Sequence, residues 1–212
     1  MLFFSALRLT TVANATVIGS CQPLILLFIA GRIFGERPRR YDWVLAVVGM
    51  GGGAIVMFGS TGVQGWSLSG DLLSIATVVA WTLYFVFSKL STRKIEASQY
   101  TGATALICAL FATPFALASG QLFNMPSGNA WIWLFILSIG PGFTSHMLMN
   151  WALAHIPVWF GSTLTLAIPV TATVMAWVFL GEDVVALQFL GMGIVLFALG
   201  FIVIGQSNTA RR

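Results

Sequence analysis

The sequence has very little charge: Asp, Glu, Lys and Arg make up 8% of its 212 residues. Soluble domains carry about a quarter charged residues, because a solvated surface has to be polar. Hydrophobic residues make up 58% of the chain, and the mean hydropathy is +0.93. This composition excludes an ordinary soluble domain and predicts an all-α protein that crosses the membrane several times.

Cysteine and histidine are also scarce, with two of each, and both Cys21 and Cys108 lie inside apolar stretches. No Cys or His spacing is typical of a metal site, so we expect no disulfide framework, no metal and no cofactor. The basic residues form short clusters without interleaved aromatics, which argues against nucleic-acid binding. An intramembrane enzyme would need paired carboxylates or a nucleophile facing its base. The neighbours Ser145 and His146 point about 100° apart on a helix, so we expect no enzyme activity.

Seven apolar segments are long enough to cross about 30 Å of hydrocarbon, which takes about 20 helical residues. They are predicted at 13–35, 43–60, 71–90, 100–119, 130–152, 158–181 and 186–205. Residues 1–7 are apolar but too short to span, and they are interpreted as the end of a partial helix. The predicted fold is therefore about seven full transmembrane helices plus one partial helix at the N-terminus.

The basic residues fall on alternate loops and so indicate the orientation of the chain. Nine of the ten lie on one side, at Arg32, Arg37, Arg39, Arg40, Lys89, Arg93, Lys94, Arg211 and Arg212. Arg8 lies on the other side. Lys and Arg are enriched in cytoplasmic loops. We therefore expect a multi-pass protein of the plasma (inner) membrane, with an outer linker at 61–70 and a cytoplasmic tail at 206–212.

An internal repeat appears when the chain is shifted by 146 residues, which aligns 6–59 with 152–205 without a gap. The identical pairs are Ala6 and Ala152, Leu7 and Leu153, Val12 and Val158, Pro23 and Pro169, Ala30 and Ala176, Gly35 and Gly181, Glu36 and Glu182, and Gly59 and Gly205. The two Gly-Glu pairs fall on opposite sides of the membrane, so the repeat is inverted. Inverted repeats are typical of secondary transporters.

The second copy of the repeat begins near Asp71 and contains five spans. By the same offset, the first copy would begin about 75 residues before Met1. We therefore expect residues 1–60 to be the C-terminal part of a first five-helix unit and residues 71–205 to be the second unit. The missing helices, or a second copy of the chain, are expected partners.

Several motifs resemble those of the drug/metabolite transporter superfamily, EamA type, whose members have ten helices in two five-helix units. The motifs are Gly70-Asp71-Leu72-Leu73, Ala80-Trp81-Thr82-Leu83-Tyr84, Ala152-Leu153-Ala154, and the stretch from Pro169 through Phe179-Leu180-Gly181-Glu182. The resemblance implies a secondary transporter that works by alternating access. We expect it to export small metabolites such as amino acids or related compounds. A truncated, partner-dependent or inactive transporter fragment is the open alternative.

The predicted site surrounds the two mid-span prolines, Pro23 and Pro169. Each proline removes one hydrogen bond within its helix and forces a kink. The freed carbonyls, those of Gly19 and Thr165, must face protein or water, because hydrocarbon offers no donor. We therefore predict hinges at both prolines, beside a central pathway.

The predicted substrate-binding residues are Gln22, Trp81, Tyr84, His146, Asn150 and Thr165. The polar side chains would bind the amine, carboxylate or hydroxyl of a metabolite, and Trp81 and Tyr84 would stack on its apolar part. Histidine changes charge near neutral pH, so proton coupling through these spans would involve His146. The alternative is that the polar side chains bond one helix to another, as they routinely do in membranes. Glu36 and Glu182, at helix ends, are predicted to have structural roles in turns. The glycines at 49, 51–53, 191 and 193 are assigned to helix packing.

Overall fold

The computed structural model describes residues 2–61, 67–120 and 125–210. Its α-helices are α1 (Leu2–Leu7), α2 (Val12–Gly19), α3 (Gln22–Phe34), α4 (Arg40–Thr61), α5 (Leu68–Ser91), α6 (Ala97–Ala118), α7 (Ala130–Leu137), α8 (Ser145–His155), α9 (Val158–Leu164), α10 (Ile168–Met175) and α11 (Ala186–Ala210). A π-helical segment, Ser138–Thr144, joins α7 to α8, and another, Ala176–Leu180, follows α10. Parts of the predicted outer linker, of the connection between α6 and α7 and of the predicted tail lie outside the described residues.

Seven helical segments among the described residues are long and apolar enough to cross a membrane, which confirms the predicted fold class. They are Asn14–Phe34, Arg40–Gly59, Leu68–Ser91, Ala97–Ala118, Ala130–His155, Val158–Leu180 and Ala186–Ser207. Their ends differ from the predicted ends by at most three residues. Three of the helices begin earlier than predicted because polar first turns, such as the one that contains Asp42, continue the helix beyond its apolar stretch.

Helices α4 and α11 form a tight antiparallel pair, in which Gly52 and Gly191 face each other. A Cβ added at Gly52 would lie 2.9 Å from the carbonyl oxygen of Gly191, and one added at Gly191 would lie 2.7 Å from that of Gly52. Small residues allow such close backbone approach. The apolar core around this pair contains Val56, Leu166, Val170, Met192, Val195 and Leu199.

The two ends of this helix pair are built alike. The Arg39 N–H donates to Oδ2 of Asp42 at 2.7 Å, and the Val185 N–H donates to Oε1 of Gln188 at 2.9 Å. These two pairs are related by the 146-residue offset found in the sequence. The geometry therefore supports the inverted repeat at positions where the two copies share no identical residue.

A glycine lies near each end of the α4–α11 pair, and the two glycines are related by the 146-residue offset. Gly59, near the end of α4, lies against Gln188, and Gly205, in α11, lies against Tyr41. Gly59 and Gly205 each lie against the capped first turn of the partner helix. A side chain at either position would crowd that turn, which is a physical reason for glycine in both copies. The assignment of whole domains to the two copies stays a prediction.

The chain forms two compact units, one of Met1–Tyr84 with Pro157–Arg212 and one of Phe85–Ile156. The first unit contains the α4–α11 pair and both of the predicted hinge prolines. The second contains α6, α7 and α8 with the last part of α5.

Candidate functional site

Two of the membrane spans in the first unit are broken, and each break comes directly before a proline. In the first span, α2 ends at Gly19 and α3 begins at Gln22, with Pro23 as its second residue. In the second span, α9 is followed by a 3-10 turn, Thr165–Ala167, and α10 begins at Ile168. The first N–H groups of a helix have no partner within the helix, so proline is well tolerated there.

The 3-10 turn provides a hydrogen-bond donor for the Thr165 carbonyl, one of the two carbonyls that lose their helical donor to a proline. The Ile168 N–H donates to the carbonyl oxygen of Thr165, which Pro169 leaves without its usual donor. The Thr165 side chain is half-buried and donates to the carbonyl oxygen of Ser162 at 2.6 Å. The break is therefore present as predicted, but the Thr165 carbonyl is bonded within its own span. Movement at the two breaks stays a prediction.

Both breaks meet α4 at the same residue, Gly53. A Cβ added at Gly53 would lie 3.7 Å from Cγ of Pro169 and 4.0 Å from Oγ of Ser20. Ser20 belongs to the turn between α2 and α3. Gly53 is buried, so the lack of a side chain there lets both interrupted spans approach one turn of α4.

Gln22 lies at the first of these breaks and carries an unpaired polar group. The residue is only 7% exposed, and its Nε2 has no hydrogen-bond partner within the described parts of the chain. A buried polar group without a partner costs about 1–3 kcal/mol. Pro23, the next residue, is fully buried. Gln22 therefore has an unused donor beside a helix break.

Trp81 and Tyr84 form an aromatic pair one turn apart on α5, as their spacing predicts. Their ring centroids are 5.3 Å apart with the ring planes at 87°, an edge-to-face arrangement. Trp81 is 41% exposed and Tyr84 is half-buried, so the pair presents an accessible aromatic surface. Their role in substrate binding stays a prediction.

The second unit contains Asn150 at the centre of a buried polar cluster. The Ser88 hydroxyl donates to Oδ1 of Asn150 at 2.6 Å, and Nδ2 of Asn150 donates to the Thr101 hydroxyl at 2.8 Å. All three residues are buried. The cluster joins α5, α6 and α8, which is the interhelical alternative considered for the predicted site. His146 lies one turn earlier on α8 and is half-buried.

Lys89 was grouped with the loop charges in the sequence, but in the structure it is buried and bonds to another helix. It is only 7% exposed, and its ammonium group donates to the carbonyl oxygen of Leu153 at 3.2 Å and to that of Ile156. The last carbonyls of a helix lack donors within the helix, and a cation stabilises that end. Lys89 therefore caps α8. The feature of the sequence that points to this burial is the position of Lys89 inside the apolar segment 71–90.

Glu36 also caps a helix, and the contact joins the two broken spans. The Val158 N–H donates to both carboxylate oxygens of Glu36 at 2.9 Å. Gly35, with a φ of 68°, turns the chain at the end of α3 and so presents Glu36. Pro157 precedes α9 and has no side-chain acceptor of its own. This contact gives Glu36 a structural role in the turn that follows α3.

The repeat supplies a matched comparison for Glu36. Under the offset, Glu182 corresponds to Glu36 and residue 12 to Val158. Helix α2 is capped locally instead, because the Asn14 N–H donates to the Thr11 hydroxyl oxygen at 3.1 Å. Glu182 is exposed.

Replacing Glu36 with alanine is therefore expected to lower the free energy of unfolding by about 0.5–2 kcal/mol, the usual cost of losing an N-terminal cap. The Glu182→Ala variant should unfold like the wild type. Thermal unfolding of the purified protein, followed by tryptophan fluorescence, measures both effects. Equal destabilisation by the two substitutions would contradict the capping role of Glu36.

The described architecture defines a class of protein. It is a polytopic helical membrane protein with two discontinuous spans that meet on one glycine. Discontinuous helices of this kind are typical of secondary transporters.

Comparison with known proteins identifies the family. Residues 1–58 and 68–204 match the EamA-like transporter family, and the chain belongs to that family. It is 26% identical over 208 residues to the uncharacterized transporter YwfM of Bacillus subtilis (strain 168), covering 97% of this chain and 69% of that protein. It is 28% identical over 142 residues to the aromatic amino acid exporter YddG of Ancylobacter novellus, covering 66% of this chain and 48% of that protein. The chain thus spans about half to two thirds of the length of these relatives.

A solved structure shows the same fold. A protein crystal structure at 24% sequence identity superposes with a TM-score of 0.76, covering 93% of this chain and 70% of the other. The resemblance predicted from the sequence motifs is therefore confirmed at the level of family and fold.

Proposed function

We propose that the protein is a secondary transporter that moves a small metabolite across the membrane by alternating access. The observation that carries this proposal is the meeting of the two broken spans at Gly53. In transporters with inverted repeats, discontinuous helices form the substrate site near the middle of the membrane. The turn of α4 that contains Gly53 is the position where such a site would lie in the first unit.

The proposed substrates are amino acids or closely related compounds, and the proposed direction is export. The named relative from Ancylobacter novellus is an aromatic amino acid exporter. The accessible Trp81–Tyr84 pair offers a surface for the apolar part of such a substrate. Gln22 offers a donor for its polar part. We further propose that Thr165, His146 and Asn150 contribute to binding, and that the protein has no enzyme activity.

The proposed location is the inner membrane with the C-terminus in the cytoplasm. Nine of the ten basic residues fall on the side of the chain that carries the C-terminus. The positive-inside rule assigns that side to the cytoplasm.

Replacing Gly53 with leucine is expected to abolish transport while the protein remains folded. Its added Cβ has room at ordinary contact distance from Pro169 and Ser20, but the rest of the side chain would fill the space where the breaks meet. Efflux of labelled amino acids from cells preloaded with dipeptides measures the effect, and we expect at least a tenfold loss of flux (on the order of 1.4 kcal/mol in the barrier).

Gly51→Leu provides the control on the same helix. A Cβ added at Gly51 would have no neighbour within 4 Å in the described part of the chain beyond its own helix, so this variant should export like the wild type. Size-exclusion chromatography shows whether each variant is folded, and Gly53→Ala is the milder variant if the leucine lowers the yield. Normal export by folded Gly53→Leu protein would contradict the proposed position of the site.

A further inference from the structure

We infer that the beginning of α3 binds the carboxylate of the transported compound and that the Gln22 amide is its donor. This inference rests on the proposed function. Its starting point is that Nε2 of Gln22 is buried and has no acceptor among the described residues. Buried polar groups in native proteins nearly always have a partner, so an unpaired donor needs an explanation. A bound acceptor supplies the missing partner.

The first turn of α3 offers the Gln22 amide as its donor. Helix α3 has 13 residues, and Cys21 at its N-cap makes no capping hydrogen bond with its side chain. The thiol of Cys21 is directed to the carbonyl oxygen of Val17 instead. The Leu24 and Ile25 N–H groups donate to the Cys21 carbonyl oxygen at 3.1 and 3.3 Å, so a ligand at this position would bind the Gln22 side chain and not these backbone groups. Pro23 has no N–H, so the Gln22 side chain provides a donor where the backbone cannot.

The second break lacks this donor, so the two breaks differ in what they can bind. Ile168 corresponds to Gln22 under the 146-residue offset and is likewise the first residue of its helix, before Pro169. Its side chain is apolar and 59% exposed. A carboxylate would therefore bind at the first break and not at the second, which fixes one orientation of the substrate.

The surrounding sequence limits the class of anion. Between Arg8 and Arg32 there is no Lys or Arg, so this span supplies no full positive charge. A single neutral amide suits a single carboxylate, as in an amino acid, whose own ammonium group balances the charge. A phosphate or a dicarboxylate would bring more negative charge than this arrangement neutralises.

Gln22→Met tests the inference, with Ile168→Met as the matched control. The full chain in lipid nanodiscs is titrated with L-phenylalanine, with 3-phenylpropanoate, which keeps only the carboxylate, and with phenethylamine, which keeps only the amine. Binding is followed as the shift in unfolding temperature.

We expect Gln22→Met to weaken binding of the two carboxylates by about tenfold or more, the usual effect of losing a hydrogen bond to a charged group. Phenethylamine should bind as to the wild type. Ile168→Met should leave the affinity for all three compounds unchanged. Without ligand, Gln22→Met should be as stable as the wild type or more stable, because it removes an unpaired buried amide.

Three outcomes would overturn the inference: unchanged carboxylate binding in Gln22→Met, equal loss for all three compounds, or a wild type that binds neither carboxylate. Lower stability of unliganded Gln22→Met would also overturn it, because the amide would then have a structural partner. The proposed function fails separately, when wild-type cells export nothing beyond control cells although the purified protein binds the carboxylates through Gln22.

Discussion

Replacing Gly191 with alanine is expected to cause a large loss of folded protein. The added Cβ would lie 2.7 Å from the carbonyl oxygen of Gly52 and 2.8 Å from the backbone nitrogen of Val56. Those atoms belong to the backbone of α4 and cannot rotate away, so α4 and α11 must separate and the core between them loosens. Overpacking of this kind costs about 1–3 kcal/mol or more. The yield of monodisperse protein and its unfolding temperature measure the effect.

The chain supplies close controls for this prediction. A Cβ added at Gly193 has nothing within 4 Å, so Gly193→Ala should fold normally. On the facing helix, Gly52→Ala should resemble Gly191→Ala, and Gly51→Ala should resemble the wild type. If all four substitutions had the same effect, the loss would reflect helix propensity or insertion into the membrane and not the contact between α4 and α11.

Replacing Asn150 with alanine is expected to destabilise the second unit by about 1–3 kcal/mol, since it leaves the buried Ser88 hydroxyl without its acceptor and takes one of two hydrogen bonds from the Thr101 hydroxyl, which still donates to the Ala97 carbonyl oxygen at 2.7 Å. The Ser88 hydroxyl loses its acceptor, and the Thr101 hydroxyl loses its donor. Chemical unfolding of purified protein in mild detergent measures the change in the free energy of unfolding.

The partners of Asn150 provide the decisive comparison. The triple variant Ser88→Ala, Thr101→Val, Asn150→Ala removes all three side chains that bond to one another across the helices. We expect it to be less destabilised than the sum of the three single variants, because groups within one hydrogen-bond cluster are not independent. Strict additivity would mean that the cluster does not join the three helices as one unit.

The membrane spans could be predicted from the sequence because each depends on a local property. Stretches free of charge mark the spans, and polar first turns account for the three spans that begin earlier than predicted. The prolines at 23 and 169 mark the breaks for the same reason, since a missing N–H acts within its own helix. The sequence also assigned a group of glycines to packing, but it could not separate Gly52, which lies against α11, from Gly51, which lies against no other described element.

The remaining contacts depend on which helices are neighbours, and no local pattern shows this. The cap provided by Glu36 joins residues that are 122 positions apart in the sequence. The two hydrogen bonds of Lys89 join residues that are 64 and 67 positions apart. The same limit applies to the candidate site. From the sequence, Gln22 and Asn150 are equally good candidates for substrate binding, because both are polar residues inside apolar spans. The structure pairs both ends of the Asn150 amide with other helices, whereas the Gln22 nitrogen has no partner among the residues that the structure describes.

Two adjacent residues of α4 have different environments, and this affects which sequence changes the protein can tolerate. Gly52 touches the backbone of α11, whereas Gly53 touches the two interruptions. In a library covering every substitution, variants at position 52 should disappear from the membrane fraction. Many variants at position 53 should instead be inserted normally and be deficient only in turnover. A screen that scores abundance and flux separately would thus distinguish two neighbouring glycines that an inspection of the sequence alone treats as equivalent.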